Sequence, residues 1–162
     1  MGYTTTAWLS FGEAVAAVAG ALTGLLFVAL SVRSEAVGAS RSLSSRAAQT
    51  LVLFMTSVVV AVLLVAPQPS AALGSELLAV AVVLGTALLI LDRRAGRSAV
   101  KGAAQYIERF SPNLITAALV CIAGITLLVK AGGGLYWLIP AVMASLLGVV
   151  VNAWLFLVKM TG

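Results

Sequence analysis

Leu51-Val52-Leu53-Phe54-Met55-Thr56-Ser57-Val58-Val59-Val60-Ala61-Val62-Leu63-Leu64-Val65-Ala66 runs directly into Pro67-Gln68-Pro69-Ser70. With Ala47-Ala48-Gln49-Thr50 ahead of it, the run reaches the length of about 20 residues that a helix needs to cross hydrocarbon. It carries no charge. No water satisfies the backbone inside a bilayer, so a spanning segment closes its hydrogen bonds within a helix or a closed barrel. The sustained apolar–polar alternation of a barrel strand is missing here. The stretch therefore reads as a helix over residues 47–66, ended by Pro67 and Pro69, with Ser70 opening the next one.

Four further stretches share this character. The first covers residues 8–32 with Glu13 as its one charge, and the third covers 71–91 with only Glu76. A polar segment, 92–113, separates them from a fourth at 114–129. Lys130-Ala131-Gly132-Gly133-Gly134 turns the chain into a fifth at 135–158, in which Pro140 is expected to kink the helix and free a carbonyl near residue 136. The predicted fold is all-α: a single transmembrane domain over residues 1–162, built as a bundle of five helices.

Composition supports the same class. Of 162 residues 62% are hydrophobic and 9% charged, with a mean hydropathy of +1.13. A soluble domain has roughly a quarter of its residues charged, so this chain has too few to coat a water-facing exterior. Ten Lys and Arg against five Asp and Glu give a net charge of +5. The positives flank apolar runs, a distribution that orients spans and argues against nucleic acid. One cysteine, Cys121, and no histidine leave no internal disulfide, zinc or iron–sulfur site, bis-histidine haem or histidine base. No cofactor and no metal are expected. The N-terminus has no basic n-region, and the apolar run behind it is too long for a signal peptide, so it is read as a retained span.

Orientation follows from the connections. Arg33, Arg41, Arg46, Arg93, Arg94, Arg97, Lys101, Arg109 and Lys159 fall on one side, and Lys130 alone on the other. Positive residues stay cytoplasmic, which predicts an outside N-terminus and a cytoplasmic C-terminus. Tyr3, Trp8, Tyr136 and Trp137 would then lie at the outer boundary, and Phe54, Tyr106, Phe110 and Trp154 near the inner one. The same bias forbids dual topology, so any homo-oligomer is parallel. Between the third and fourth spans, Val100, Ala103, Ala104, Ile107 and Phe110 recur at helical spacing. Arg93, Arg94, Arg97, Lys101 and Arg109 lie beside or among them. The segment reads either as a basic amphipathic helix on lipid headgroups or as an extension of a neighbouring span.

Candidate functional residues are few. Gly12, Ala16, Gly20 and Gly24 repeat at four residues in the first span, and Ala144, Gly148 and Asn152 in the fifth. Each row is read as lying along one side of its helix, where another backbone can come close. Glu13 shares a side with Ala17, Gly20 and Gly24, because steps of three and four stay on one face. Glu76 starts from the same outer side. Both carboxylates admit three readings: solvation at a helix start, pairing with Lys130, or a protonatable cluster in a cation path. Asn152, in the inner half of the fifth span, is read as bonding across to a neighbouring helix. No span holds a deep lysine, an arginine row or a catalytic pair, which sets aside retinal proteins, voltage sensors and intramembrane proteases.

Gly24-Leu25-Leu26-Phe27-Val28-Ala29-Leu30-Ser31, Leu135-Tyr136-Trp137-Leu138 and Val151-Asn152-Ala153-Trp154 resemble segments of small, uncharacterised multi-pass membrane proteins of actinobacteria. Some chains of that group carry an automatic label as modulators of a membrane-bound AAA protease. The resemblance implies a bacterial cytoplasmic membrane and transfers no functional residue. The expected function is non-catalytic: an accessory, assembly or regulatory subunit packed against other membrane subunits in the lipid bilayer. The alternative is a small channel or carrier formed by a parallel homo-oligomer, with Glu13 and Glu76 in a cation or proton path.

Overall fold

The computed structural model describes residues 2–32, 41–95 and 112–161, and all of their regular structure is helical. A short 3-10 turn, Thr5–Trp8, leads into α1 (Leu9–Val32). Then come α2 (Arg41–Val65), α3 (Ser70–Ala95) and α4 (Pro112–Val129). A second 3-10 turn, Gly134–Trp137, precedes α5 (Leu138–Thr161). Among the described residues, three stretches are long and apolar enough to cross a membrane: Thr5–Val28, Ala47–Val65 and Ser70–Leu91. Shorter apolar helical stretches run over Leu114–Val129 and Gly134–Val149. The chain is thus a bundle of apolar helices with the character of a membrane-embedded protein.

The helices pack α2 on α3, α3 on α4, α4 on α5 and α5 back on α2, closing a four-membered ring. α1 lies outside that ring and packs on α2. Burial reflects the arrangement: half of α2's apolar stretch is buried, against 17% of that of α1. One end of the bundle gathers the N-terminal segment, the turn between α2 and α3, and the glycine hairpin between α4 and α5. We call it the hairpin end, and the opposite one the connector end.

Local chemistry explains where the helices stop. Pro67 has no N–H to give the Leu63 carbonyl, and the Gln68 side chain supplies the bond instead, with Nε2 donating at 3.0 Å. Lys130 ends α4 in the left-handed region (φ 55°), and the Ala131 N–H reaches back to the Thr126 carbonyl at 3.2 Å. This is the six-to-one closure of a Schellman motif, with lysine where glycine is usual. Pro140 does not kink α5 as expected. It is the third residue of that helix, and a first-turn N–H has no intrahelical partner to lose.

The hairpin end is a clasp. The Leu135 N–H donates to the Gly2 carbonyl at 2.9 Å, and the Gly133 N–H donates to the Tyr3 hydroxyl at 3.1 Å. Trp137 Nε1 donates to the Gly132 carbonyl at 2.7 Å. Trp8 meets Phe11 and Tyr136 edge-on, with ring centroids 5.5 and 5.1 Å apart. The four aromatics expected at one boundary are therefore at one end, but the Trp8 ring is buried within the clasp while Tyr136 and Trp137 are exposed. Phe54 is buried in the core. Tyr106 and Phe110 lie outside the described residues, as does the side chain of Trp154.

Candidate functional site

The core is two hydrophobic clusters with a polar layer between them. Toward the hairpin end stand Val60, Leu64, Leu73, Leu77, Leu127 and Leu138. Toward the connector end stand Leu53, Phe54, Leu84, Leu88 and Val149. On α2, Thr56 and Ser57 fall between Phe54 and Val60; on α5, Ser145 falls between Ala141 and Val149. The Ser57 and Ser145 hydroxyls are 2.7 Å apart, joining α2 to α5 inside the ring. Thr56 donates to the Val52 carbonyl at 2.8 Å, and either serine can donate to the Leu53 carbonyl, at 3.3 or 3.5 Å. A cavity of about 10 Å³ adjoins this layer, lined by Thr56, Ser57, Thr116, Ser145 and five apolar residues.

Sequence reasoning did not single out these hydroxyls. Their signal is weak, because a helical serine or threonine can bond its own turn and sit in an apolar span at little cost. The bond across helices is worth measuring. Ser57→Ala and Ser145→Ala, alone and combined, should give a coupling energy of about 0.6 kcal/mol, the typical value for such a pair in a membrane protein. A double-mutant cycle on thermal unfolding in detergent checks it, and strict additivity contradicts the bond.

The candidate residues on α1 divide between two faces. Gly12 is buried against α2: a Cβ there would meet Val65 Cγ2 at 3.0 Å and the Ala61 carbonyl at 3.2 Å. Ala16 is half-buried. Gly20 and Gly24 are exposed, with nothing within 4 Å of an added Cβ. The four-residue row therefore does not lie along one side. Four residues overshoot a 3.6-residue turn by about 40°, so three steps turn the row through about 120°. Glu13, Ala17, Gly20 and Gly24, spaced four, three and four, do share a face, and all four are exposed.

The other carboxylate sits differently. Glu76 is half-buried on α3, and its Oε2 is buried without a hydrogen-bond partner. α1 and α3 are not a packed pair, so the structure does not assemble Glu13 and Glu76 into one cluster. Neither forms an ion pair with the exposed Lys130. On α5, Ala144 is half-buried and Gly148 buried. Arg97, Lys101 and Arg109 lie outside the described residues, as do the side chains of Arg93, Arg94 and Asn152.

Comparison with family models, with curated proteins and with solved structures finds no match to this chain. What the geometry offers is an exposed face on α1 and a hydroxyl layer inside the ring.

Proposed function

We propose that this chain is a non-catalytic accessory subunit of a larger membrane complex in a bacterial cytoplasmic membrane. In this reading all five helices span, with the hairpin end outside and the arginine-bearing connectors in the cytoplasm. The observation that carries it is the outward face of α1, where Glu13, Ala17, Gly20 and Gly24 are exposed together. Gly20 and Gly24 form a G-x-x-x-G pair, which lets a second helix backbone approach closely. Glu13 follows Trp8 by five residues, about 7.5 Å along the axis, so lipid against this face would surround a carboxyl group.

A carboxylate in hydrocarbon is costly, by about 2.5–3.5 kcal/mol at the midplane and less toward a boundary. A partner that offers a hydrogen-bond donor or a cation opposite Glu13 relieves that cost. A second copy of the chain does not. Parallel pairing through this face brings residues of equal depth together and sets Glu13 against Glu13. The occupant we commit to is a transmembrane helix of a different protein with Lys, Arg or an amide at that depth.

Purification from native membranes in mild detergent should bring down a stoichiometric larger partner. Gly20→Leu with Gly24→Leu should abolish that copurification and leave the unfolding midpoint within a degree or two of wild type, because both positions are open within the chain. A lone, monodisperse wild-type species would overturn the proposal. A second reading, a channel or carrier between parallel copies, draws on the exposed Glu13 and on the unpartnered Glu76 Oε2. Leucines close the ring on both sides of its hydroxyl layer, so any such path would run between copies. Reconstituted vesicles should then show a cation flux that falls in Glu13→Gln.

A further inference from the structure

Among the described residues, Glu76 Oε2 is the buried side-chain atom left without a hydrogen bond, although the side chain as a whole is only half-buried. Its place on α3 shows what it faces. Gly74 and Leu78 meet α4. Two residues turn a helix through about 200°, so Glu76, midway between them in sequence, lies on the flank away from α4 and toward α2. Leu91 is on the same flank, and its carbonyl accepts from Ser45 of α2 at 2.7 Å. That flank opens outward: Val83, two turns on from Glu76, is 69% exposed.

α1 turns its own carboxylate to the same side of the bundle. Phe11 and Glu13 stand about 100° to either side of Gly12, which meets α2. Phe11 packs on the core, so Glu13 points to the outer side. α2 runs between the two carboxylates, and Met55, Val59 and Val62 form an exposed row along it. That row lies about 100° round from the Ala61 and Val65 side that Gly12 meets, and about 70° from Ser45.

The two carboxylates also share a depth. Gly12 stands against Ala61, Leu64 and Val65, which sets Glu13 level with roughly residue 62 of α2. Fifteen residues along both antiparallel helices from the Ser45–Leu91 bond, Glu76 stands level with Val60. The difference is about 3 Å along the axis. Sideways they are far apart, because α1 and α3 each pack on α2 and two interaxial spacings come to about 16–20 Å.

We infer that the partner covers the whole outer side of α1, α2 and α3. It does so as two adjacent transmembrane helices of one protein, with a Lys or Arg opposite Glu13 and another opposite Glu76. One helix lies over the seam of α1 and α2 and the other over the seam of α2 and α3, with Val59 and Val62 at the apolar centre. Lipid on this side would surround two carboxyl groups, each at the cost of an ionisable group in hydrocarbon. A second copy cannot relieve it, since no apolar run of this chain holds a lysine or arginine. The inference rests on the accessory-subunit reading and widens its contact from one helix to three.

A photo-reactive benzoylphenylalanine placed at Val59, at Gly24 and, as a control, at the exposed Ile125 of α4 tests it in the full chain in native membranes. The probes at 24 and 59 should capture the same protein. Mass spectrometry should map the crosslinks to two neighbouring transmembrane segments of it, each bearing Lys or Arg, and the probe at 125 should not reach them. Glu76→Gln should cut recovery of that partner about tenfold, as Glu13→Gln does, the effect of losing one charge-assisted hydrogen bond. Capture at 24 but not at 59, captured segments without a basic residue, or undiminished recovery in Glu76→Gln overturns the two-helix surface and leaves the accessory reading standing. Crosslinks at 59 to a second copy or to lipid alone also overturn it. Failure of the wild-type chain to bring down any partner overturns the accessory reading itself. If Glu76→Gln does not fold, the crosslinks decide.

Discussion

Gly124→Leu should lower the unfolding midpoint by about 6–12 °C, the shift that a loss of about 3 kcal/mol produces in a chain of this size. The crossing of α3 and α4 is built glycine on glycine. A Cβ on Gly124 would stand 3.0 Å from the Gly74 carbonyl oxygen and 2.9 Å from Leu78 Cγ. A Cβ on Gly74 would in turn stand 3.3 Å from the Gly124 carbonyl oxygen and 2.8 Å from Leu128 Cγ. A leucine tip can change rotamer to relieve a clash. A helix backbone cannot, and the whole α3–α4 contact has to open.

Cys121 is the chain's one thiol and lies one turn before Gly124, partly buried against the core. A thiol-reactive fluorophore added during a thermal ramp should label it at lower temperature in the variant. Gly85 serves as the control on the same helix pair. A Cβ there meets only Ala117 Cβ, at 4.0 Å, an ordinary contact. Gly85→Ala should hold stability or raise it by up to about 1 kcal/mol, because it removes a flexible residue from a helix interior. A Gly124→Leu midpoint equal to wild type would show that the helices do not meet as described.

Gly134→Val should cost about 3 kcal/mol and detach the N-terminal segment from the hairpin. Two independent penalties meet at this position. Its φ of +58° lies in the left-handed region, which costs a residue with a Cβ about 1–2 kcal/mol. An added Cβ also collides with the Gly2 carbonyl oxygen and comes within 2.8 Å of the Tyr3 ring. The chain can relieve the collision only by releasing residues 2–4, which forfeits the Leu135-to-Gly2 and Gly133-to-Tyr3 bonds. Trp8, buried under Tyr136, should then become accessible to an aqueous quencher, and an N-terminal tag should be cleaved faster by protease. Lys130→Gly tests the same conformational argument with the opposite sign. Lysine occupies a left-handed position there (φ 55°), so glycine should stabilise the hairpin by roughly 1 kcal/mol. Unchanged quenching of Trp8 in Gly134→Val would contradict the clasp.

The elements were legible in the sequence because a bilayer tolerates so few backbone solutions. Apolar runs near 20 residues must close their own hydrogen bonds, and Pro67, Pro69 and the Gly132–Gly134 run interrupt them where the helices end. The observed α2 begins ahead of the apolar run, at Arg41. Its first turns carry Ser45 and Gln49, whose side chains are buried, and hydropathy alone does not extend a span through such residues. The shared face of Glu13, Ala17, Gly20 and Gly24 was also legible, since it depends only on helical geometry.

What each face touches was not legible. A soluble helix marks its buried side with an apolar stripe, but these helices are apolar all round, because lipid and core make the same demand on a side chain. Periodicity therefore could not say that Gly12 meets α2 while Gly24 meets nothing, or that α1 stands outside a ring of four. Nor could it pair Ser57 with Ser145, 88 residues apart. Composition and segment length by themselves determined a helical chain suited to lipid. Only the tertiary packing decided which glycines are contacts, which hydroxyls meet, and which face of α1 is left exposed.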